Sequence, residues 1–297
     1  MSFRKRRSIP DLGIGVGARP AHDEDIRRTF AESESVEDKP IDWLEIISEN
    51  FFAQGGATKT RLDMLRASCP LIPHGVSLSI GGTDPFRADY IQSLRRVVDT
   101  TNPPWFSDHL CFTGVGLRES HDLLPLPYTK EAVLHVASRI REVQDRVERL
   151  FALENVSSYL TYEESEMPEW EFLSEIAERA DCGILLDINN IYVSGKNHGF
   201  DPDEYVANVP LDRVVQVHLA GHTDKGDHLL DTHSSLVTGD VWSLYESFVE
   251  RAGSVATLLE WDDALPTYES LLEEASRARA VRDRALSRRA PKEPGIA

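Results

Sequence analysis

A (β/α)8 barrel, a TIM barrel forming a single α/β domain, is the fold that this 297-residue sequence predicts. Eight short apolar or β-rich stretches recur along the chain, segments of helical periodicity lie between them, and no linker rich in Gly, Pro or Ser divides the whole. Strand and helix alternating eight times in about 270 residues is what a parallel barrel closed on itself requires. Chains of this length often split in two, but α/β barrels of this size commonly form one domain.

The strands are read in order as DLGIGV at 11, DWLEII at 42, LIPHGVSLS at 71, WFSDHLCF at 105, LFALENV at 150, GILLDI at 183, VVQVHL at 214 and ATLLEW at 256. Between them the clearest helix runs from 129 to 149, where Val133, Val136, Ile140, Val143 and Val147 keep one apolar stripe amid Glu, Arg and Gln. Further helices are expected near 57–67, 86–99, 168–180, 240–252 and 266–285. GIGVGAR at 13–19 imitates a phosphate-binding glycine loop, but Ala18 breaks the third-glycine pattern, and a tight turn after the first strand is expected instead. The barrel domain is drawn from 10 to 285, preceded by a basic flexible tail over 1–9 and followed by a disordered tail over 286–297.

Composition narrows the partners. A formal charge of −18 repels phosphate backbones, so nucleic acid is not expected. Three scattered cysteines, Cys69, Cys111 and Cys182, argue against both a disulfide framework and a thiolate zinc site. No apolar run approaches the ~20 residues that span a bilayer, and no signal-peptide apolar region follows the first basic residues. A cytoplasmic enzyme without a membrane partner is the expectation.

In a barrel of this kind, chemistry is done at the carboxyl ends of the strands. Candidate ligands gather there: His74, Asp108 with His109, Glu154 with Asn155, Asp187 with Asn189, His218 and Glu260. Period-two alternation turns Asp187 and Asn189 together toward the axis if the strand continues that far. HLAGHTDKGDHLLDTH, residues 218–233, adds His222, Asp231 and His233 on a loop long enough to fold back over the opening. A single buried carboxylate at a strand end is commonly satisfied by a neighbouring loop amide. Six strands delivering such groups to one mouth would repel one another unless cations were present. Imidazole and carboxylate without thiolate suit iron, manganese or zinc, and nine candidates exceed what one ion uses, so two or three ions bridged by Glu154 or Glu260 are expected.

At these residues the chain resembles a known family. IPHGVSLSIG, FSDHLCF, LLPLPYT, LENVSSYL, LLDINNIYVSGKNHG, VHLAGH, LLDTH and LLEWD look like signature stretches of the multinuclear non-heme iron-dependent oxidative enzymes, a family related to the methanobactin-biosynthesis oxidase. The likeness runs in order from about residue 10 to residue 280. It implies a barrel with two or three irons of mixed Fe(II)/Fe(III) state and O₂ as co-substrate. The implied substrate is a ribosomally made precursor peptide, with cysteine the residue modified, and a partner protein grips the leader. By motif, His74, His109, Glu154, Asn189, His218, Asp231, His233 and Glu260 are the implied iron ligands, with Asp187 beside them as a further ligand. Asp187, His222 and Asn155 are the candidate catalytic groups, while His198, Asp108 and Asp262 are read with His222 and Asn155 as groups that orient ligands or face substrate. The same residue types also fit a non-redox isomerase or hydrolase of the sugar isomerase and endonuclease kind, or a non-catalytic metal-binding scaffold.

Overall fold

The computed structural model describes residues 9–32, 39–116 and 118–289, apart from the side chains at 119 and 121. All but Ile9 of the expected N-terminal tail, and 290–297 of the expected C-terminal one, lie outside the described residues. In chain order the elements are β1 (Ile14–Gly17), α1 (Asp23–Glu32), β2 (Trp43–Ile47), α2 (Gly56–Ser68), β3 (Leu71–His74), α3 (Ala88–Thr101), β4 (Trp105–His109), β5 (Phe112–Val115), β6 (Arg118–Leu124), α4 (Lys130–Val147) and β7 (Leu150–Glu154). There follow α5 (Glu169–Ala180), β8 (Gly183–Asp187), α6 (Ile188–His198), α7 (Pro202–Asn208), β9 (Val214–Leu219), β10 (His222–Asp224), β11 (Leu229–Asp231), α8 (Gly239–Ala252), β12 (Ala256–Leu259) and α9 (Tyr268–Arg288). Helix α9 therefore runs past the boundary expected at 285.

Strands β1, β2, β3, β4, β7, β8, β9 and β12 pair in that order, parallel throughout, and β12 closes onto β1. These are the eight stretches read from the sequence. Strands β5–β6 and β10–β11 form two antiparallel hairpins inserted after β4 and β9.

Strand alternation divides the apolar residues into two cores. Outward residues such as Val16, Leu44, Phe106, Leu153, Leu186 and Val217 pack with the helices, including the α4 stripe of Val133, Val136, Ile140, Val143 and Val147. Helix α4 begins where Thr129 accepts the Ala132 N–H at 3.1 Å, an N-cap that satisfies an otherwise unpaired donor. Inward residues Trp43, Ile72, Trp105, Leu150, Ala152, Leu185, Val215, Ala256 and Leu258 fill the barrel floor. Gly15 lies within strand β1, as DLGIGV at 11 leads one to expect: a Cβ there would come within 2.4 Å of the Trp43 ring, so the small residue admits the indole.

One irregularity re-aims a strand. The β8–β9 register passes from Ile184↔Val214 to Leu185↔Gln216, leaving Val215 as the extra residue of a bulge. Val215 joins the floor, and Gln216 and His218 then both turn inward above it.

Candidate metal centre

Above the apolar floor the inward positions change character. His74 ends β3, His109 ends β4, Glu154 ends β7, Asp187 ends β8, His218 lies near the end of β9, and Glu260 follows β12. All six are buried. His233 reaches the same mouth from the loop after β11, with its backbone at φ 44°, held by the Asp262 N–H donated to its carbonyl at 2.8 Å. A non-glycine residue in this left-handed region stores strain that the surroundings must over-determine.

Three overlapping groups have ligand atoms within 4.8 Å of one another: His74, His109 and Glu154; Glu154, Asp187, His218 and Glu260; and His233, Glu260 and Asp262. Glu154 and Glu260 are each shared by two groups. Glu154 Oε2 lies 3.4 Å from both His74 Nε2 and His109 Nε2, and its Oε1 lies 3.2 Å from His218 Nδ1. Glu260 Oε2 lies 2.9 Å from His218 Nδ1 and 3.3 Å from His233 Nδ1.

A cation fits these residues on their own terms. Glu154 Oε2, Asp187 Oδ2, Glu260 Oε2, His218 Nδ1 and His233 Nε2 are buried atoms with no hydrogen-bond partner among the described residues. Unpaired buried polar atoms cost on the order of 1–3 kcal/mol each, more when charged, so five at one mouth favour a ligand in common. The electrostatics agree. Burial pushes Asp187 well above the usual carboxylate range, against the pull of His233 and with Glu154 and Asp231 adding to the rise. For Glu154, burial is outweighed by His109, His218 and His74, which hold it below its ordinary value; His218 and His233 do the same, more strongly, for Glu260. Burial opposes protonation of His109, yet Glu154 and Asp108 raise it to about 9, and carboxylates likewise lift His218 and His233. Without a metal the cluster takes up protons, and a metal would displace them.

The remaining expected residues divide. Strand β8 stops at Asp187, whose Oδ1 caps α6 by accepting the Asn190 N–H at 2.6 Å. Asn189 therefore arrives on the first turn of a helix, not on a continued strand, because Asp187 makes the helix start there. Its Nδ2 donates to Asp231 Oδ1 at 2.8 Å, and its Oδ1 lies 2.8 Å from His222 Nδ1. Asp231 also accepts from Ser157 Oγ at 2.9 Å and faces His233 Nε2 at 2.8 Å. His222 stacks on Tyr192 at 5.3 Å, bonds Asn189 through its ring and pairs with Asp231 across the β10–β11 ladder. Asn155 clamps the Asp187 peptide, accepting its N–H at 2.9 Å and donating to its carbonyl at 3.0 Å. His198 bonds Ser158 away from the mouth. Asp108 accepts the Leu78 and His109 amides, and Asp262 pairs with Arg19 and faces His233 Nδ1 at 3.1 Å.

Four participants escape a sequence reading based on strand ends. Ser107 Oγ lies 2.9 Å from His74 Nδ1, an N–H donated there leaving Nε2 bare toward Glu154. Glu45 and Gln216 stand behind His218, and Arg19 is the basic residue lining the mouth. Each sits inside a strand or just after one, and the available signal was inward parity: Glu45 is two residues beyond Trp43, Ser107 two beyond Trp105.

The mouth itself is a cavity of about 280 Å³ bounded by His74, His109, Glu154, His233 and Glu260 and by Asp122, Leu123, Tyr159 and Thr232 from the hairpins and the β7–α5 loop. Among the described residues no helix is long and apolar enough to cross a membrane.

A family model described as RiPP precursor modification enzyme MbnB/TglH/ChrH matches residues 13–283. A UPF0276 protein of Anaeromyxobacter sp. (strain Fw109-5) is 51% identical over 287 residues, covering 97% of each chain. A UPF0276 protein of Caulobacter vibrioides is 48% identical over 272 residues, covering 91% of this chain and 94% of the relative. Among solved structures, a D-psicose 3-epimerase from Clostridium cellulolyticum H10 superposes with a TM-score of 0.60 at 11% identity, over 93% of this chain and 99% of the other. Endonuclease IV from Thermus thermophilus does so with a TM-score of 0.57 at 15% identity, over 94% and 99%. These structural likenesses carry the barrel alone.

Proposed function

The chain belongs to the RiPP precursor modification enzyme family MbnB/TglH/ChrH, and from that premise we propose that it is an iron-dependent oxidase that uses O₂ to modify a cysteine of a ribosomally synthesised precursor peptide. The observation that carries the proposal is the three groups of His, Asp and Glu side chains that share Glu154 and Glu260, with five buried, unpartnered nitrogen and oxygen atoms among the residues at the same mouth. Carboxylates shared between groups of mixed imidazole and carboxylate suit a multinuclear iron centre, and the ligand set has no thiolate of its own. When bound, iron would supply one-electron redox chemistry with O₂ and lower the pKa of a coordinating substrate thiol.

The chain's own residues do the rest. His74, His109 and Glu154 would hold one ion, Glu154, Asp187, His218 and Glu260 a second, and His233 with Glu260 and Asp262 a third. Asn155 fixes the peptide of Asp187, and Asn189 with Ser157 fixes Asp231 beside His233, so the groups named as catalytic or ligating candidates divide into holders of metal and holders of ligands. Asn155 and His222 are positioning residues in this reading. A macromolecular substrate is supported by the rim: Val115, Tyr159, Leu160, Leu236 and Leu265 are exposed on segments at the carboxyl ends of the strands. A leader-binding partner and action in the cytoplasm complete the proposal.

Co-production with a short cysteine-containing precursor and any encoded partner tests it. The expected result is a mass change in the peptide that needs iron and O₂ and disappears in His218→Ala and Glu260→Ala. A colourless protein that holds only zinc or magnesium and consumes no O₂ with the peptide overturns the oxidase.

A further inference from the structure

We infer that Glu45 is a positioning residue that presents His218 to metal through Nδ1, so that loss of its charge empties one site of the cluster and spares another. The inference rests on the reading of the barrel mouth as a metal centre. Its starting point lies below that mouth, in the floor. Trp105, fully buried, has an indole N–H that can only donate, and it donates to Gln216 Oε1 at 2.7 Å. That bond settles which end of the Gln216 amide points where. The NH2 end faces upward, donating to Glu45 Oε2 at 2.6 Å.

His218 Nε2 stands 3.1 Å from the same Glu45 oxygen and 2.8 Å from the Gln216 amide nitrogen. Two nitrogens thus converge on one carboxylate oxygen. A metal held on the Nδ1 side leaves the ring proton on Nε2, and there Glu45 Oε2, at 3.1 Å, is the acceptor for it, since the Gln216 NH2 on the same side is itself a donor. With the proton on Nε2, the lone pair is on Nδ1. Nδ1 is the ring atom left without a hydrogen-bond partner, and it faces Glu154 Oε1 at 3.2 Å, Glu260 Oε2 at 2.9 Å and Asp187 Oδ2 at 4.0 Å. A carboxylate behind an imidazole both fixes the tautomer and raises the basicity of the ligating nitrogen. Here the carboxylate is itself fixed by a chain of donors that ends in an immobile tryptophan.

The other imidazoles are oriented differently. His74 has Ser107 behind it, and His109 has Asp108 at 3.8 Å from Nδ1. Glu45 therefore serves the group of Glu154, Asp187, His218 and Glu260 and not the group of His74, His109 and Glu154.

Metal-free protein and its Glu45→Gln variant, titrated with Fe(II) under anaerobic conditions, separate the possibilities. The variant is expected to bind one ion fewer per chain, or to bind that ion about tenfold or more weakly, with the other ions and the melting temperature of the metal-free protein unchanged. Equal counts and affinities within about twofold overturn the inference, as does loss of every ion together. A second readout does not depend on Glu45→Gln: long-range proton–nitrogen spectra of the unmutated, ¹⁵N-histidine-labelled protein loaded with Zn(II), the His218 signal assigned by its loss in His218→Gln. A proton on Nε2 is expected, and a proton on Nδ1 overturns the proposal. If the unmutated protein takes up no metal, the metal-centre reading falls with the inference; if it does and Glu45→Gln matches it, the inference alone falls.

Discussion

Glu154 faces three imidazoles, and this makes it the residue whose loss should be felt most widely. Its two oxygens address His74, His109 and His218, so Glu154→Gln removes charge from two ligand groups at once. Metal analysis of that variant should show more than one ion lost per chain, whereas His74→Ala should cost only the ion it shares with His109. Gly75 offers a second check of the residue-level account. A Cβ there would come within 2.3 Å of Asp108 Oδ2, which is holding the Leu78 amide. Gly75→Ala should therefore displace a buried carboxylate and lower stability by roughly 1–3 kcal/mol, read as a shifted denaturant midpoint with an unchanged slope. At this scale the sequence displays well which polar residues gather at the mouth, because strand ends are where polar residues interrupt apolar runs. It hides Glu45, Ser107 and Gln216, which sit within strands and acquire a partner only when the barrel closes.

Element by element, the eight barrel strands and the α4 stripe are legible, since period two and period 3.6 leave distinct patterns. Three features are not. The two hairpins form sheets of their own outside the barrel, α6 begins a residue after its strand because Asp187 caps it, and the β9 bulge depends on pairing with β8. Gly15 of β1 imitates part of a phosphate loop for a related reason, as it makes space for Trp43 on the neighbouring strand β2. Helix α5 supplies a pH-dependent test away from the metal ligands. Burial raises Glu169, at its first turn, to about 7, although hydrogen bonds from Tyr128 and Tyr205 work against the rise. A carboxyl raised in the folded state costs nothing while both states are protonated. The cost grows as pH climbs through the unfolded value near 4.5 and is complete above about 7, of order 3 kcal/mol. Glu169→Gln should thus match the parent in melting temperature near pH 4.5 and exceed it near pH 8. A constant gap across that range would refute the assignment.

For the whole molecule, the parallel barrel explains why groups from β3, β4, β7, β8, β9 and β12 meet although they lie up to 186 residues apart, from His74 to Glu260. The apolar floor of Trp43 and Trp105 closes the interior beneath them, so charge collected at the mouth has no route to water on that side. Ligands must be deprotonated to bind metal, so metal uptake should release protons and strengthen as pH rises. Calorimetry in two buffers of different ionisation enthalpy would show the release, and its absence would mean that the metal-free cluster carries no protons for a metal to displace. The shared carboxylates make the central claim a matter of counting. Fe(II) titrated anaerobically into metal-free protein, followed by removal of loose metal and elemental analysis against chain concentration, should give at least two tightly held irons per chain. None, or a single one, would contradict the account.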